Sequence, residues 1–263
     1  KYVKKRKELF GDHNHNLWKC RWGASLNYND RNNVSIHVDD DSGANYTYEL
    51  KSNTENFAAA KTQLIEFTKN LTQRTGKDFH DWIASVCDVR LLLRTYAVNV
   101  VVGMWDDYWN NSNNFYIYFN SSDKDNYQFY FIPYDYDNTL GTSNHCGVQS
   151  DSGRQDPLNW GDTERNPLIG KILRFDDYRA IYIEALNELI APENNLFYYQ
   201  ASIDRINGWY TMISPYVKND TEEDCEIKDR PAGWGNIYDY RLLDASSSMN
   251  FFKVKAEAIN NIK

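Results

Sequence analysis

Asn113-Asn114-Phe115-Tyr116-Ile117-Tyr118-Phe119 and Gln128-Phe129-Tyr130-Phe131-Ile132-Pro133-Tyr134-Asp135-Tyr136-Asp137 are two ring-rich runs on either side of the polar segment Asn120–Asn126. Aromatic and β-branched residues at this density suit a pleated, half-buried surface, and an Asn/Ser/Asp segment suits a turn. The pair therefore reads as a β-hairpin. A hairpin sets its two outer ends side by side. That geometry predicts one neighbourhood for Asp106, Asn114, Asp135 and Asp137, which span about 30 residues. Three carboxylates and an amide oxygen are hard ligands, the kind that Mg²⁺ or Mn²⁺ takes when it also binds phosphate oxygens.

Outward from the hairpin the pattern changes on both sides. Asn16–Trp22, Val34–Val38 and Tyr46–Leu50 read as short strands. Phe57, Lys61, Leu64, Ile65 and Phe67 fall near a 3.6-residue period, and Phe79 to Val100 continues it as one longer helix with Asp78 at its N-cap. Beyond the hairpin the helical period returns at Leu168–Leu173, at Tyr178–Ile190 and at Phe251–Ile259. The expected class is α+β: a β-rich part over residues 1–54, then a mainly helical part over 55–263 that carries the hairpin. With 263 residues, few prolines and no low-complexity linker, the chain reads as a single domain.

Composition narrows the function. The formal charge of −8 is the wrong sign for a phosphate-backbone partner, so nucleic acid is disfavoured. The most apolar stretch, Leu91–Trp105, is too short to span a bilayer and carries Arg94 and Asn99. Cys20, Cys87, Cys146 and Cys225 make no CxxC pair, which leaves two long-range disulfides or buried free thiols as the alternatives. Aromatic residues reach 15%, half of them tyrosine. Rings with a polar edge serve either a core or a gripping surface. The start at Lys1, with a basic run and no initiator Met, reads as a mature or excised piece.

The order of Asp, Asn, hairpin and Asp follows the logic of protein kinases, although seven residues separate Asp106 from Asn114 where the kinase loop has four. Longer runs carry a closer likeness. Gly103-Met104-Trp105-Asp106, Asn113–Tyr118 and Phe131-Ile132-Pro133-Tyr134-Asp135-Tyr136-Asp137-Asn138-Thr139-Leu140-Gly141 resemble the signatures of the spore-coat protein H (CotH) kinase family. Asn16–Lys19, Tyr48–Lys51, Asn166–Ile169 and Phe175–Arg179 also match its pattern, so the resemblance covers roughly residues 1–262. Met104, Asp107, Tyr134 and the long Asp-to-Asn loop depart from it.

The resemblance implies an atypical, bilobal protein-kinase-like fold whose small lobe is cut short at Lys1. It implies transfer of the γ-phosphate of ATP to Ser or Thr of secreted, cell-surface or spore-coat proteins. Carried over, Asp106 is the catalytic carboxylate, Asp135 the metal-binding Asp, Asn114 and Asp137 the rest of the Mg²⁺ (or Mn²⁺) shell, and Lys19 the cation on the nucleotide phosphates. Two other classes stand beside this one: a catalytically silent kinase-like adhesin or assembly module, and a carbohydrate-active protein suggested by rings and paired carboxylates.

Overall fold

The computed structural model describes residues 15–30, 36–38 (backbone only), 47–142, 151–216, 229 and 238–262. Val34, Ser35 and Tyr46 of the expected strands, and Cys146 and Cys225, lie outside these residues. Five strands, β1 (Leu17–Cys20), β2 (Ile36–Val38), β3 (Tyr48–Leu50), β4 (Phe115–Phe119) and β5 (Phe129–Pro133), form one sheet in the order β2-β3-β1-β4-β5. Among the strands of the described residues, only the β2–β3 pair is parallel. The hairpin has the register Phe119↔Phe129 to Phe115↔Pro133.

The hairpin does not stand apart in a helical region. Strand β4 pairs directly with β1, Trp18 opposite Ile117 and Lys19 opposite Tyr116. Alternation along the strands explains the match. Trp18 and Cys20 share a face with Leu50 and Tyr48, with Phe115, Ile117 and Phe119, and with Phe129 and Phe131, and nearly all of these are buried. The opposite face carries Lys19, Glu49, Tyr116, Tyr118 and Tyr130. A one-residue slip would exchange the two sets, so burial fixes the register.

Helix α1 (Phe57–Gln73) covers the apolar face, with the Phe67 ring 4.8 Å from Phe129 and 5.4 Å from Phe119. Such ring pairs add roughly 0.5–1.5 kcal/mol each beyond area burial. The single helix expected over Phe79–Val100 is two: α2 (Gly76–Val86) and α3 (Val89–Val101). Cys87 between them is extended, at φ −148° and ψ 137°, and forms a parallel bridge with Phe129. Asp88 restarts the helix by accepting from the Leu91 N–H at 2.9 Å. The N-cap of α2 is Thr75 and not Asp78, which sits in the first turn and pairs with Arg74 at 2.5 Å.

The remaining helices are α4 (Tyr108–Asn111), α5 (Pro167–Ile172), α6 (Asp176–Ile190), α7 (Tyr199–Ile213) and α8 (Phe251–Asn260). None among the described residues is long and apolar enough to cross a membrane. The chain divides into two compact units. The first holds the residues up to Thr95, Asp106–Asp135 and Trp160–Tyr182, and the second holds Tyr96–Trp105, Tyr136–Asn159 and the residues from Ile183 on. Tyr240, Phe251, Phe252 and Val254 form a core cluster in the second unit. Cys20 and Cys87 are buried free thiols, and burial pushes both up in pKa.

Candidate active site

The neighbouring carboxylates Asp106 and Asp107 have opposite fates. Asp107 is buried. Its Oδ1 accepts from the Asn110 N–H at 2.9 Å, capping α4, and its Oδ2 accepts from the Trp160 indole at 3.1 Å. Its carbonyl accepts from the amides of Asn111 and Asn113 at 3.0 and 3.1 Å. Both carboxylate oxygens and the carbonyl are engaged in holding the loop. The segment between Asp106 and Asn114 is mostly this short helix and its cap.

Asp106 is half-buried and faces three side-chain amides. Asn111 Nδ2 donates to Oδ1 at 2.6 Å, Asn113 Nδ2 to Oδ1 at 3.1 Å and Oδ2 at 3.3 Å, and Asn114 Nδ2 to Oδ2 at 3.1 Å. Asn114 also donates to the Asp106 backbone carbonyl at 3.1 Å. Hydrogen bonds to a charged acceptor are the strong kind, worth about 1.5–3 kcal/mol each, and together they fix the carboxylate plane.

This cradle is built by a strained loop. Ser112 and Asn114 both have positive φ, 55° and 58°, a conformation Asn tolerates better than most residues. Ser112 Oγ donates to Asn166 Oδ1 at 2.7 Å, and Asn166 Nδ2 donates to the Trp109 carbonyl at 2.8 Å. Tyr108 in α4 donates from its hydroxyl to the Ser25 carbonyl at 3.0 Å and accepts from the Leu168 N–H at 3.1 Å. Burial pushes its pKa well up, so it stays neutral.

The hairpin brings the second half of the motif alongside. The Tyr134 N–H donates to the Asn114 carbonyl at 3.1 Å, one step beyond the last strand pair, and Asp135 follows, exposed, at φ 64°. Tyr134 lies 4.9 Å from Tyr116 ring to ring, and the Lys19 Nζ is 5.3 Å from the Tyr134 ring centre. Burial, then the neighbouring Tyr116 and Asp135, push the Tyr134 hydroxyl up to about 12. Of the residues singled out from sequence, Asp106 and Asn114 are in direct contact, and Lys19 and Asp135 flank Tyr134. Asp137 is exposed and belongs to the second unit. Among the described residues no three carboxylate, histidine or cysteine side chains converge to hold a metal.

Sequence reasoning gave no role to a buried acid on the same sheet face. Glu49 is 1% exposed and is held by Arg21, whose Nε and Nη2 reach Oε2 at 3.1 and 2.8 Å, and by Lys51 on Oε1. Its partners are thus Arg21 and Lys51, and not the Lys19 opposite it in the register. The signal was present as two alternating pairs, Lys19-x-Arg21 and Glu49-x-Lys51, and needed the β1–β3 pairing to bring them together.

Comparison with known proteins places the chain at the family level. No curated protein matches the chain. The family model for CotH kinase protein matches residues 1–242. Nearly the whole sequence, including every residue of the site described above, falls within that match, and the chain belongs to the CotH kinase family.

Proposed function

We propose that the chain is an atypical Ser/Thr protein kinase, bilobal and kinase-like in fold, that transfers the γ-phosphate of ATP to hydroxyls of secreted, cell-surface or spore-coat proteins. The observation that carries this reading is the Asp106 carboxylate, oriented by three amides at the end of the hairpin that leads into Asp135. Phosphoryl transfer asks little covalent chemistry of a protein and much positioning and charge.

In this reading Asp106 receives the hydrogen bond of the acceptor hydroxyl. As the acceptor oxygen bonds to the γ-phosphorus and the bond to the bridging oxygen breaks, the hydroxyl proton passes to Asp106 and ADP departs. The cations on the polar sheet face, Lys19 with Arg21 and Lys51 on Glu49, supply positive charge for the nucleotide phosphates. Magnesium is ordinarily held by one or two carboxylates plus substrate phosphates, not by an all-protein cage. In the sheet-bearing unit the donor set fits that habit: Asp135 offers an exposed carboxylate, and Asn114 uses its Nδ2 on Asp106, leaving Oδ1 as a hard ligand. Held by these residues, the ion would neutralise charge that develops on the phosphates.

The test is transfer of labelled phosphate from ATP to a Ser-rich acceptor. Asp106→Asn should lower kcat by about 10²–10⁴, the usual worth of a positioned acid or base. Undiminished transfer in both Asp106→Asn and Asp135→Asn would sink the assignment.

A further inference from the structure

Trp22 is 68% exposed, more than any other large apolar side chain of the sheet-bearing unit among the described residues. A single exposed ring normally requires no explanation. This one sits on a pinned turn. The Arg21 N–H donates to the Thr47 carbonyl at 3.0 Å, the Ala24 N–H to the Arg21 carbonyl at 2.9 Å, and the Gly23 and Ala24 N–H groups both reach the Ser112 carbonyl, at 2.9 and 3.1 Å. The indole N–H donates to Asn111 Oδ1 at 3.4 Å, and Asn111 Nδ2 donates to Asp106 Oδ1 at 2.6 Å. The turn is held by its backbone, and the exposed ring is two hydrogen bonds from the carboxylate of the site. Ordering a tryptophan costs entropy, and that cost is offset when a ligand covers the ring.

We propose that Trp22 is a specificity residue for the acceptor polypeptide, its face taking up an apolar side chain that flanks the hydroxyl oriented by Asp106. This rests on the phosphoryl-transfer reading. One feature selects an apolar neighbour: the indole N–H is directed to Asn111 Oδ1 at 3.4 Å, which leaves the apolar faces of the ring. The nucleotide-side cations Lys19 and Lys51 belong to the sheet face, whereas the Trp22 turn is tied to Ser112 at the end of α4.

The experiment compares two peptides with the same acceptor Ser, flanked by Leu or by Ala, using wild type, Trp22→Ala and Trp22→Phe. Trp22→Ala should raise KM for the Leu peptide about tenfold, as loss of an interface ring does. It should change KM for the Ala peptide little and KM for ATP not at all. Trp22→Phe keeps a ring without the N–H and should stay near wild type for the Leu peptide. An unchanged Leu-peptide KM in Trp22→Ala overturns the proposal. So does a raised KM for ATP, which would give the ring to the nucleotide, or an equal fall of kcat in both variants, which would give Trp22 a role only through Asn111. Calorimetric titration of the Leu peptide without ATP separates the two levels. Trp22-dependent binding with no phosphate transfer by wild type keeps the docking residue and removes the kinase reading; transfer with no Trp22 dependence does the reverse.

Discussion

The side-chain amide of Asn113 bridges both oxygens of Asp106, 3.1 Å from Oδ1 and 3.3 Å from Oδ2. A donor shared between two oxygens fixes the plane of the carboxylate as well as its position. Replacing Asn113 with Leu should lower kcat by about tenfold, the factor equivalent to one hydrogen bond of about 1.4 kcal/mol, with KM for ATP unchanged. Asn113→Asp should be worse, because it sets a like charge against the carboxylate. Steady-state kinetics with ATP and acceptor varied in turn checks both.

Asp106 and Asp107 should separate function from stability. Asp107→Ala removes the α4 cap and leaves the buried Trp160 indole without its acceptor, at a combined cost of about 2–4 kcal/mol. Asp106→Asn keeps one acceptor oxygen for the three amides at a half-buried site, so it should cost less stability than Asp107→Ala while abolishing most transfer. Urea unfolding run beside the transfer assay checks the contrast, and a reversal would exchange the roles assigned here to the two carboxylates.

Gly161 should tolerate no side chain. A Cβ there would lie 2.2 Å from the Trp109 carbonyl oxygen and 2.3 Å from its carbon, and backbone does not yield cheaply. Gly161→Ala should destabilise the protein by at least about 1–3 kcal/mol, the range of overpacking, and should disturb the Asn166–Trp109 hydrogen bond behind the cradle. Thermal unfolding reads the first effect and acceptor kinetics the second.

Lys255 makes stability depend on pH. It is fully buried in α8, and burial pulls its ammonium down to about 7, against a weaker upward push from Asp151. Below pH 7 the lysine is charged in both states, and the folded one carries the full desolvation cost. Between about 7 and the unfolded value near 10.5 the folded state holds fewer protons, so this residue makes stability rise with pH, at up to about 1.4 kcal/mol per unit. The raised thiols and tyrosines act in the opposite sense at higher pH, because their unfolded forms ionise first. The difference between wild type and Lys255→Met isolates the lysine: the variant should be more stable at pH 7, and its advantage should shrink toward pH 10.

The hairpin was legible because its ring-rich strands and polar turn depend only on neighbouring residues. Its membership of the N-terminal sheet was not, since pairing of Lys19 with Tyr116 joins residues nearly a hundred positions apart. The helix break at Cys87 was missed because the 3.6-residue period runs across it without interruption; the signal lay in Asp88 as a cap. At the site, the hairpin geometry grouped Asp106 and Asn114 with Asp135 and Asp137, and the contact between the first two is observed. The roles of Asn111, Asn113 and Asp107 were hidden because a chain rich in Asn and Asp gives no hint of which carboxylate is buried. Many of the rings prove to be scaffold: Phe115, Phe119, Phe129 and Tyr48 are buried on the covered sheet face, whereas Trp22 beside the site is exposed.

The Ser112 carbonyl, which accepts both the Gly23 and Ala24 amides, ties the Trp22 turn to the end of the helix that carries Asn111. The Ala24 amide is also held by the Arg21 carbonyl, so Gly23 should exchange with deuterium faster than Ala24, at a rate that reports release of the Ser112 carbonyl. Opening at the Ser112 carbonyl would then uncouple the Trp22 turn from the helix that carries Asn111, so exchange at Gly23 times how long the exposed ring and the Asp106 cradle stay joined.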